Sequence, residues 1–247
     1  MRRQLTPEWM DDPAVDPAEL KEALAFIRRV NLRLGGVKAL TKHLERWSAN
    51  WPANGPDGHE VTILDVATGS ADIPVEVVRW ARQRGHRVRI TAVDIHETTL
   101  DSARQHVERE LGADAPIELV RADAKELVDR YGPLSFDYVH AGMFLHHLSE
   151  IEILTVLRIM ERVAKRGIVW NDLVRSRVAM AGIWALTLGE PPITKHDARV
   201  SVRAGFTKKE VKDYASRTSL GYCRYRSGFF TQRFTLAGEK RGAWVIG

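Results

Sequence analysis

The chain has 247 residues, of which 44% are hydrophobic, so it holds enough apolar material to bury the core of one large domain. Its one cysteine, Cys223, excludes an internal disulfide and a cysteine-rich metal site. A secreted disulfide scaffold is therefore ruled out, and we expect a cytoplasmic location. The net charge of +5 is unevenly distributed, because residues 1–58, 59–172 and 173–247 carry +1, −5 and +9.

The basic last third of the chain admits several partners, since positive charge attracts nucleic acid, anionic membranes and acidic small molecules alike. Nucleic acid is disfavoured because no run of five or more Lys or Arg residues occurs. The first thirty residues have no continuous apolar stretch, which argues against a secretory signal, and the longest apolar run, residues 178–189, is too short to span a bilayer. We expect a small-molecule partner and no membrane span, in a monomer or a homodimer.

The chain before residue 58 predicts two helices. Apolar residues recur at helical spacing over residues 17–30 and again over residues 36–47. Residues 50–58 then concentrate Asn, Pro and Gly, which is typical of a boundary. The sequence therefore predicts an N-terminal helical cap or lid, residues 1–58, and a main domain, residues 59–247.

The main domain alternates short apolar runs with amphipathic stretches, as βαβ units do. Two last runs, residues 221–227 and 229–236, meet at Ser227-Gly228 and predict an antiparallel hairpin. The predicted fold class is α/β: a doubly wound, mostly parallel seven-stranded sheet that ends in an antiparallel hairpin. The candidate parallel strands are Val61–Val66, Val88–Val93, Ile117–Arg121, Phe136–His140 and Gly167–Asp172. The candidate helices between them lie at about residues 73–84, 97–110, 124–130 and 150–164.

The turn after the first strand favours a bound ligand. Residues 67–71, Ala-Thr-Gly-Ser-Ala, are small enough for the backbone to approach a ligand closely. The second strand is followed by Asp94, where folds of this plan carry a ribose-binding carboxylate, and the third by Asp123, which suits an adenine amine. The turn has one glycine where the dinucleotide fingerprint needs three, and no Gly-Lys-Ser/Thr follows it, so NAD and a phosphate-loop nucleotide are disfavoured.

Four segments carry these patterns in order: Leu64–Asp72, Val93–Ile95, Arg121–Ala124 and Phe136–Leu148. Together they resemble the class I S-adenosylmethionine-dependent methyltransferases, and most closely the small-molecule branch of ubiquinone/menaquinone-biosynthesis-type enzymes. The resemblance implies S-adenosyl-L-methionine as the cofactor. Ala67 and Ala71 stand where this family more often has glycine, and alanine fits there unless the turn demands a positive φ angle.

The resemblance also implies which residues hold the cofactor. In that family the first turn holds the methionyl part, the acid after the second strand the ribose, and the third acid with its neighbour the adenine, while the end of the fourth strand borders the methyl group. The implied cofactor-binding residues are Asp65, Ala67, Thr68, Gly69, Ser70, Asp94, Ile95, Asp123, Ala124, His140 and Ala141.

Two histidines, His146 and His147, follow the fourth strand at the rim where such sheets bind ligands. Histidine removes protons near neutral pH, so both are candidate catalytic bases for methyl transfer, although the Leu-His-His-Leu segment equally suits a structural role. A metal site would need a third convergent ligand, which the neighbouring spacing does not supply. The sequence therefore predicts no metal.

An insertion at about residues 174–206 separates the fifth strand from the hairpin. It begins with an apolar helix over residues 175–188, which forms a lid in the family and equally suits core packing or a dimer contact. A long loop over residues 189–205 precedes a helix that begins with a Thr207/Glu210 capping box. Candidate acceptor-binding residues are Met143, Trp184, His196 and Arg203.

These features predict an S-adenosylmethionine-dependent methyltransferase that acts on a hydroxyl of a small aromatic, polyketide-like or quinone-like acceptor. Carbon methylation of a similar acceptor predicts the same pattern. RNA methylation is a further alternative, supported by the basic last third of the chain. A catalytically inactive partner protein that binds the cofactor is the non-enzymatic alternative.

Overall fold

The computed structural model describes residues 1–12, 14–51 and 59–240. Most of the predicted boundary, residues 52–58, lies outside the described residues, so the division into a cap and a main domain stays a prediction. Two N-terminal helices are present, α1 (Pro17–Arg33) and α2 (Gly36–Ser48). The second of them packs Leu44 and Trp47 into the same core as sheet residue Ile63. This helix therefore belongs to the layer that covers the sheet.

The predicted sheet is confirmed. Seven strands lie in the order β3-β2-β1-β4-β5-β7-β6; the first five are parallel, and β7 runs antiparallel between β5 and β6. The strands are β1 (Val61–Val66), β2 (Val88–Asp94), β3 (Ile117–Arg121), β4 (Phe136–Gly142), β5 (Ala164–Leu173), β6 (Arg224–Gly228) and β7 (Arg233–Glu239).

The hairpin turn is not at Ser227-Gly228 as predicted. Both residues lie within β6, and Gly228 pairs with Arg233, which leaves residues 229–232 as the turn. Phe229 and Phe230 resemble strand residues by composition, but their exposed fractions are 70% and 93%. The aromatic composition of this pair therefore wrongly predicts the start of a strand where the chain forms an exposed turn.

Helices cover both faces of the sheet, as the doubly wound pattern predicts. After α1 and α2 come α3 (Asp72–Gln83), α4 (Glu97–Leu111), α5 (Leu127–Tyr131), α6 (Glu150–Val163), α7 (Arg177–Leu186), α8 (Pro192–Ala204) and α9 (Lys208–Ser216). The residues of α2, α3 and α4 pack on one face, and those of α5, α6 and α9 on the other. Neighbouring residues of β1 serve opposite faces, since Ile63 belongs to the first core and Leu64 to the second.

The prediction of a long loop over residues 189–205 is wrong, because helix α8 occupies most of this segment. Pro192 is the first residue of the helix, a position that needs no amide hydrogen. Its buried face repeats at helical spacing but includes Thr194, Asp197 and Ser201, so polar residues concealed the pattern. The predicted capping box is confirmed, with Thr207 and Glu210 bonding reciprocally at the start of α9.

Helices α1, α7 and α8 stand beyond the carboxyl ends of the strands, and residues 1–12, here called the N-terminal strap, cross the same end. The Arg3 guanidinium donates to the carbonyl oxygens of Ala204 at 2.8 Å and His146 at 2.9 Å. The backbone amides of Trp9 and Met10 donate to the Asp197 carboxylate at 2.8 and 3.0 Å. In the described part of the chain, no helix combines the length and hydropathy needed to cross a membrane.

Candidate active site

A cavity of about 420 Å³ opens at the carboxyl ends of the central strands. Its walls include the turn after β1, the residues that follow β2, β3 and β4, and side chains of α1, α7 and α8. The strap contributes Glu8, Met10 and Asp11. This is the rim at which open α/β sheets bind ligands.

The turn after β1 requires left-handed backbone at three positions. The φ angles of Ala67, Gly69 and Ala71 are 55°, 59° and 56°. The two alanines therefore occupy a conformation that favours glycine, so the family's usual glycines have a structural reason. A Cβ on Gly69 would meet no described atom within 4 Å, which indicates that this point of the turn borders open cavity space.

Asp94 connects this turn to β2. Its Oδ2 accepts a hydrogen bond from the Gly69 amide at 3.0 Å, and its Oδ1 accepts one from the His96 amide at 3.1 Å. The carboxyl group is buried, and burial raises its pKa. Each oxygen retains a lone pair, which is the arrangement a ribose diol needs.

Asp65 and His140 form a buried pair under the centre of the cavity. The His140 Nδ1 lies 2.5 Å from Asp65 Oδ1, and the Thr68 hydroxyl donates to Asp65 Oδ2 at 2.7 Å. Among the described residues, the buried His140 Nε2 has no hydrogen-bond partner. Ala141, predicted beside it, is fully buried and lies outside the cavity lining.

The predicted adenine side also borders the cavity. Asp123 Oδ1 accepts from the Lys125 amide at 2.8 Å, which fixes the loop after β3. Ile95 is half exposed at the cavity edge. Of the predicted cofactor residues, all but Ala141 line the cavity: Asp65, Ala67, Thr68, Gly69, Ser70, Asp94, Ile95, Asp123, Ala124 and His140.

A buried polar chain that the sequence analysis missed runs along one wall. The Arg233 Nη2 donates to Asn31 Oδ1 at 2.8 Å, and the Asn31 Nδ2 donates to Asp72 Oδ2 at 2.9 Å. Burial lowers the pKa of Arg233 to about 10, and its Nη1 has no hydrogen-bond partner in the described part of the chain. The sequence signal for it was Arg233, a charged residue directly before the buried strand residues 234–237.

A second group, here called the histidine cluster, consists of Glu8, Asp11, His146 and His147. The His146 Nε2 lies 3.6 Å and the His147 Nε2 3.9 Å from Glu8 Oε1. The His147 Nδ1 lies 3.2 Å from Asp11 Oδ2, and the two imidazole rings are 4.2 Å apart. The Ser201 hydroxyl also donates to Glu8. All four members of the cluster line the cavity.

The two histidines have different environments. The His146 side chain is 2% exposed, and its Nδ1 lies 2.7 Å from Asp172 Oδ1. Burial disfavours its charged form, but Asp172 and Glu8 outweigh burial and raise the pKa of His146 to about 10. Without another ligand, His146 therefore retains its proton near neutral pH and is a poor base. The His147 side chain is 27% exposed and is the more accessible of the two.

The four predicted acceptor residues separate into one that lines the cavity and three that do not. Met143 lines it, with a φ angle of 56°. His196 stacks on Trp9 at 4.0 Å between ring centroids, and the Arg199 guanidinium lies 3.4 Å over the centre of the Trp184 ring. Arg203 is an exposed residue at the end of α8. Trp184, His196 and Arg203 are not among the residues that line the cavity.

Comparison with known proteins identifies relatives of the central part of the chain. Residues 63–167 match a family model described as a methyltransferase domain. Over 89 residues the chain is 34% identical to the ubiquinone/menaquinone biosynthesis C-methyltransferase of Rickettsia akari, a match that covers 36% of this chain and 35% of the relative. The corresponding protein of Rhizobium meliloti is 29% identical over 114 residues, which cover 46% of this chain and 41% of that one. The matches thus span well under half of the curated relatives' length.

Among solved structures, the fold is similar to magnesium protoporphyrin IX methyltransferase from Synechocystis PCC 6803 with bound SAH. The TM-score is 0.56 at 14% identity, and the match covers 93% of this chain and 90% of that one. At this identity the likeness concerns the fold alone.

Proposed function

We propose that this chain is a class I S-adenosylmethionine-dependent methyltransferase that transfers a methyl group to a hydroxyl oxygen of a small aromatic, polyketide-like or quinone-like acceptor. The observation that carries the proposal is one cavity that joins the turn after β1 and Asp94 to the histidine cluster. A cavity of this kind has room for an acceptor between a methyl donor and a proton-accepting group, which is the arrangement that an in-line displacement requires.

The residues of the cavity fit the cofactor. Asp94 suits the ribose hydroxyls, and Asp123 with Ala124 suits the adenine. The turn after β1 suits the methionyl part, because its left-handed residues leave backbone close to open space. The Nη1 of Arg233, which has no hydrogen-bond partner among the described residues, suits the methionine carboxylate, since a buried arginine N–H normally has a partner. When bound, the cofactor supplies an electrophilic methyl group on sulfur.

Proton removal is assigned to the histidine cluster. His147 is the candidate base, because it lines the cavity and the Asp11 carboxylate 3.2 Å from its Nδ1 leaves Nε2 to accept a proton. Apolar side chains of α1 and α7, among them Phe26, Ile27 and Ile183, line the same cavity and suit an apolar acceptor. The location of the reaction in the cytoplasm stays a prediction from the single cysteine.

Carbon methylation is the second candidate, and the curated relatives favour it because their names describe C-methyltransferases. A carbon acceptor also loses a proton, so the same cavity serves both reactions. RNA methylation and loss of turnover stay weaker alternatives, which the same experiment addresses.

The test supplies S-adenosylmethionine carrying a ¹³C-labelled methyl group together with a panel of phenols, hydroquinones and polyketide-like enols and, in a separate sample, with RNA. An oxygen-bound methyl carbon resonates far downfield of a carbon-bound one, so the product spectrum identifies the atom methylated. We expect an oxygen-bound methyl group, and a roughly 100-fold lower rate in His147→Ala at unchanged cofactor affinity. A carbon-bound label would refute oxygen transfer. Cofactor binding without label transfer to the panel or to RNA would favour the inactive partner protein.

A further inference from the structure

We propose that Glu8, His146 and His147 bind one divalent transition-metal cation, of which zinc is the model, at the acceptor side of the cavity. The sequence analysis predicted no metal because no third ligand stood near the two histidines in the chain. The fold supplies it from the strap, since Glu8 reaches both imidazoles. Cation binding is independent of the proposed methyl transfer.

The three ligand atoms converge. One potential ligand atom from each of Glu8, His146 and His147 lies within 4.8 Å of the other two. The Nε2 atoms of the two histidines are 3.6 and 3.9 Å from the same Glu8 oxygen. Metal–ligand bonds of about 2.1 Å in a tetrahedral site separate ligand atoms by roughly 3.4 Å, so small side-chain adjustments suffice. Two histidines and one carboxylate are a ligand set of zinc and of non-haem iron.

Both histidines also have the outer support that metal-binding histidines need. The His146 Nδ1 lies 2.7 Å from Asp172, and the His147 Nδ1 lies 3.2 Å from Asp11. A carboxylate on Nδ1 holds the hydrogen there and leaves the Nε2 lone pair for a metal. The arrangement occurs twice, on adjacent residues, and both free nitrogens face Glu8.

One buried nitrogen in the histidine cluster lacks a hydrogen-bond partner among the described residues. The His146 Nε2 is inaccessible to solvent and has no hydrogen-bond partner among the described residues, although buried polar atoms normally have one. A cation would satisfy it. Three carboxylates surround the site, those of Glu8, Asp11 and Asp172, and their negative charge favours a divalent cation between them.

A cation held by three side chains retains an open coordination position, and its three ligands line the cavity. A hydroxyl oxygen bound there would lose its proton more readily, because the cation stabilises the anion. In that case His147 is a ligand and the cation replaces it in activating the acceptor. This use of the cation rests on the proposed function.

The test uses the full chain without an affinity tag, freed of metal by a chelator and titrated with cobalt(II), whose visible absorption reports tetrahedral nitrogen and oxygen ligands. We expect one equivalent to bind and to be displaced by zinc. Glu8→Gln and His147→Ala should weaken binding by at least the roughly 10- to 100-fold that loss of an outer partner costs. The control is His106→Ala, a histidine of α4 outside the cavity lining and outside the cluster.

Each variant is checked for folding by circular dichroism and for S-adenosylmethionine binding by calorimetry. Cobalt binding that survives both ligand substitutions, or no binding by folded wild-type protein, would overturn the proposal and leave the cluster a set of ion pairs. Cofactor binding in the same samples is expected to persist. Its absence would refute the proposed function without bearing on the cation.

Discussion

The two sides of the cavity are built differently. The cofactor side consists of residues at or directly after the ends of β1, β2 and β3, and main-chain amides fix its carboxylates, as with Asp94 and Asp123. The acceptor side joins the strap, the residues after β4 and helix α8. Buried charged groups hold that side together, as with His146 between Asp172 and Glu8. Local chain geometry thus determines the cofactor side, whereas electrostatic contacts between distant parts of the chain determine the acceptor side.

If buried ion pairs hold the acceptor side, Asp172→Asn should have the largest effect on stability. Asp172 is fully buried and accepts from His146, the Leu173 amide and the Trp170 indole. Removal of its charge leaves the buried imidazolium without its nearest partner, at a cost of about 3–5 kcal/mol. Urea denaturation measures the loss.

The matched control is Asp213→Asn, whose carboxylate is 57% exposed and pairs with Arg217 on the surface. It should change the free energy of unfolding by less than about 0.5 kcal/mol. A loss below about 1 kcal/mol for Asp172→Asn would show that the buried pair does not hold this side together.

Substitution of Arg233 tests contacts with the amino-acid end of the cofactor separately from contacts with its adenosine end. Arg233→Met removes the proposed donor to the methionine carboxylate, a charge-assisted hydrogen bond, so affinity for S-adenosylmethionine should fall roughly tenfold or more. Affinity for 5′-methylthioadenosine, which lacks the amino-acid part, should stay within about twofold of wild type. Calorimetry measures both affinities.

Arg226→Met, on the exposed neighbouring strand, controls for the loss of positive charge and should leave both affinities unchanged. Equal loss of affinity for the two ligands in Arg233→Met would mean that Arg233 acts through the fold and does not contact the carboxylate.

The smallest predicted effect is a gain in stability from a substitution in the turn after β1. Ala67→Gly relieves a left-handed alanine and should raise the free energy of unfolding by up to about 1 kcal/mol, although greater freedom of the unfolded chain offsets part of the gain. Ala181→Gly, at an exposed position in the middle of helix α7, should lower it by about 1 kcal/mol. Thermal unfolding measures the stability of both variants. If Ala67→Gly lost as much stability as the α7 variant, the backbone of Ala67 would not be strained.

The sequence predicted most of the sheet and of the cofactor side for a local reason. The bounds of β1 and β3 are those predicted, because their apolar runs are flanked by turn residues. Asp94 and the turn at residues 67–71 were found because strand ends converge at one edge of the sheet. Such features need only a few neighbouring residues.

The acceptor side was largely missed for a long-range reason. Glu8 lies in an irregular segment, and its contact with His146 depends on Asp197 and Arg3 holding the strap in place. The sequence pattern does not reveal helix α8, because its buried face carries polar residues that anchor this strap. Asn31 gave no signal at all, since a lone asparagine in a helix has no pattern.

Calorimetric titration with S-adenosyl-L-methionine, on wild type, Asp94→Asn and the surface control Asp101→Asn, tests the central claim most directly. We predict micromolar binding by wild type and by the control, and affinity at least tenfold weaker in Asp94→Asn, about 1.4 kcal/mol, because the ribose loses its charged acceptor. No binding by folded wild-type protein, or equal binding by Asp94→Asn, would contradict the assignment of the cavity to this cofactor.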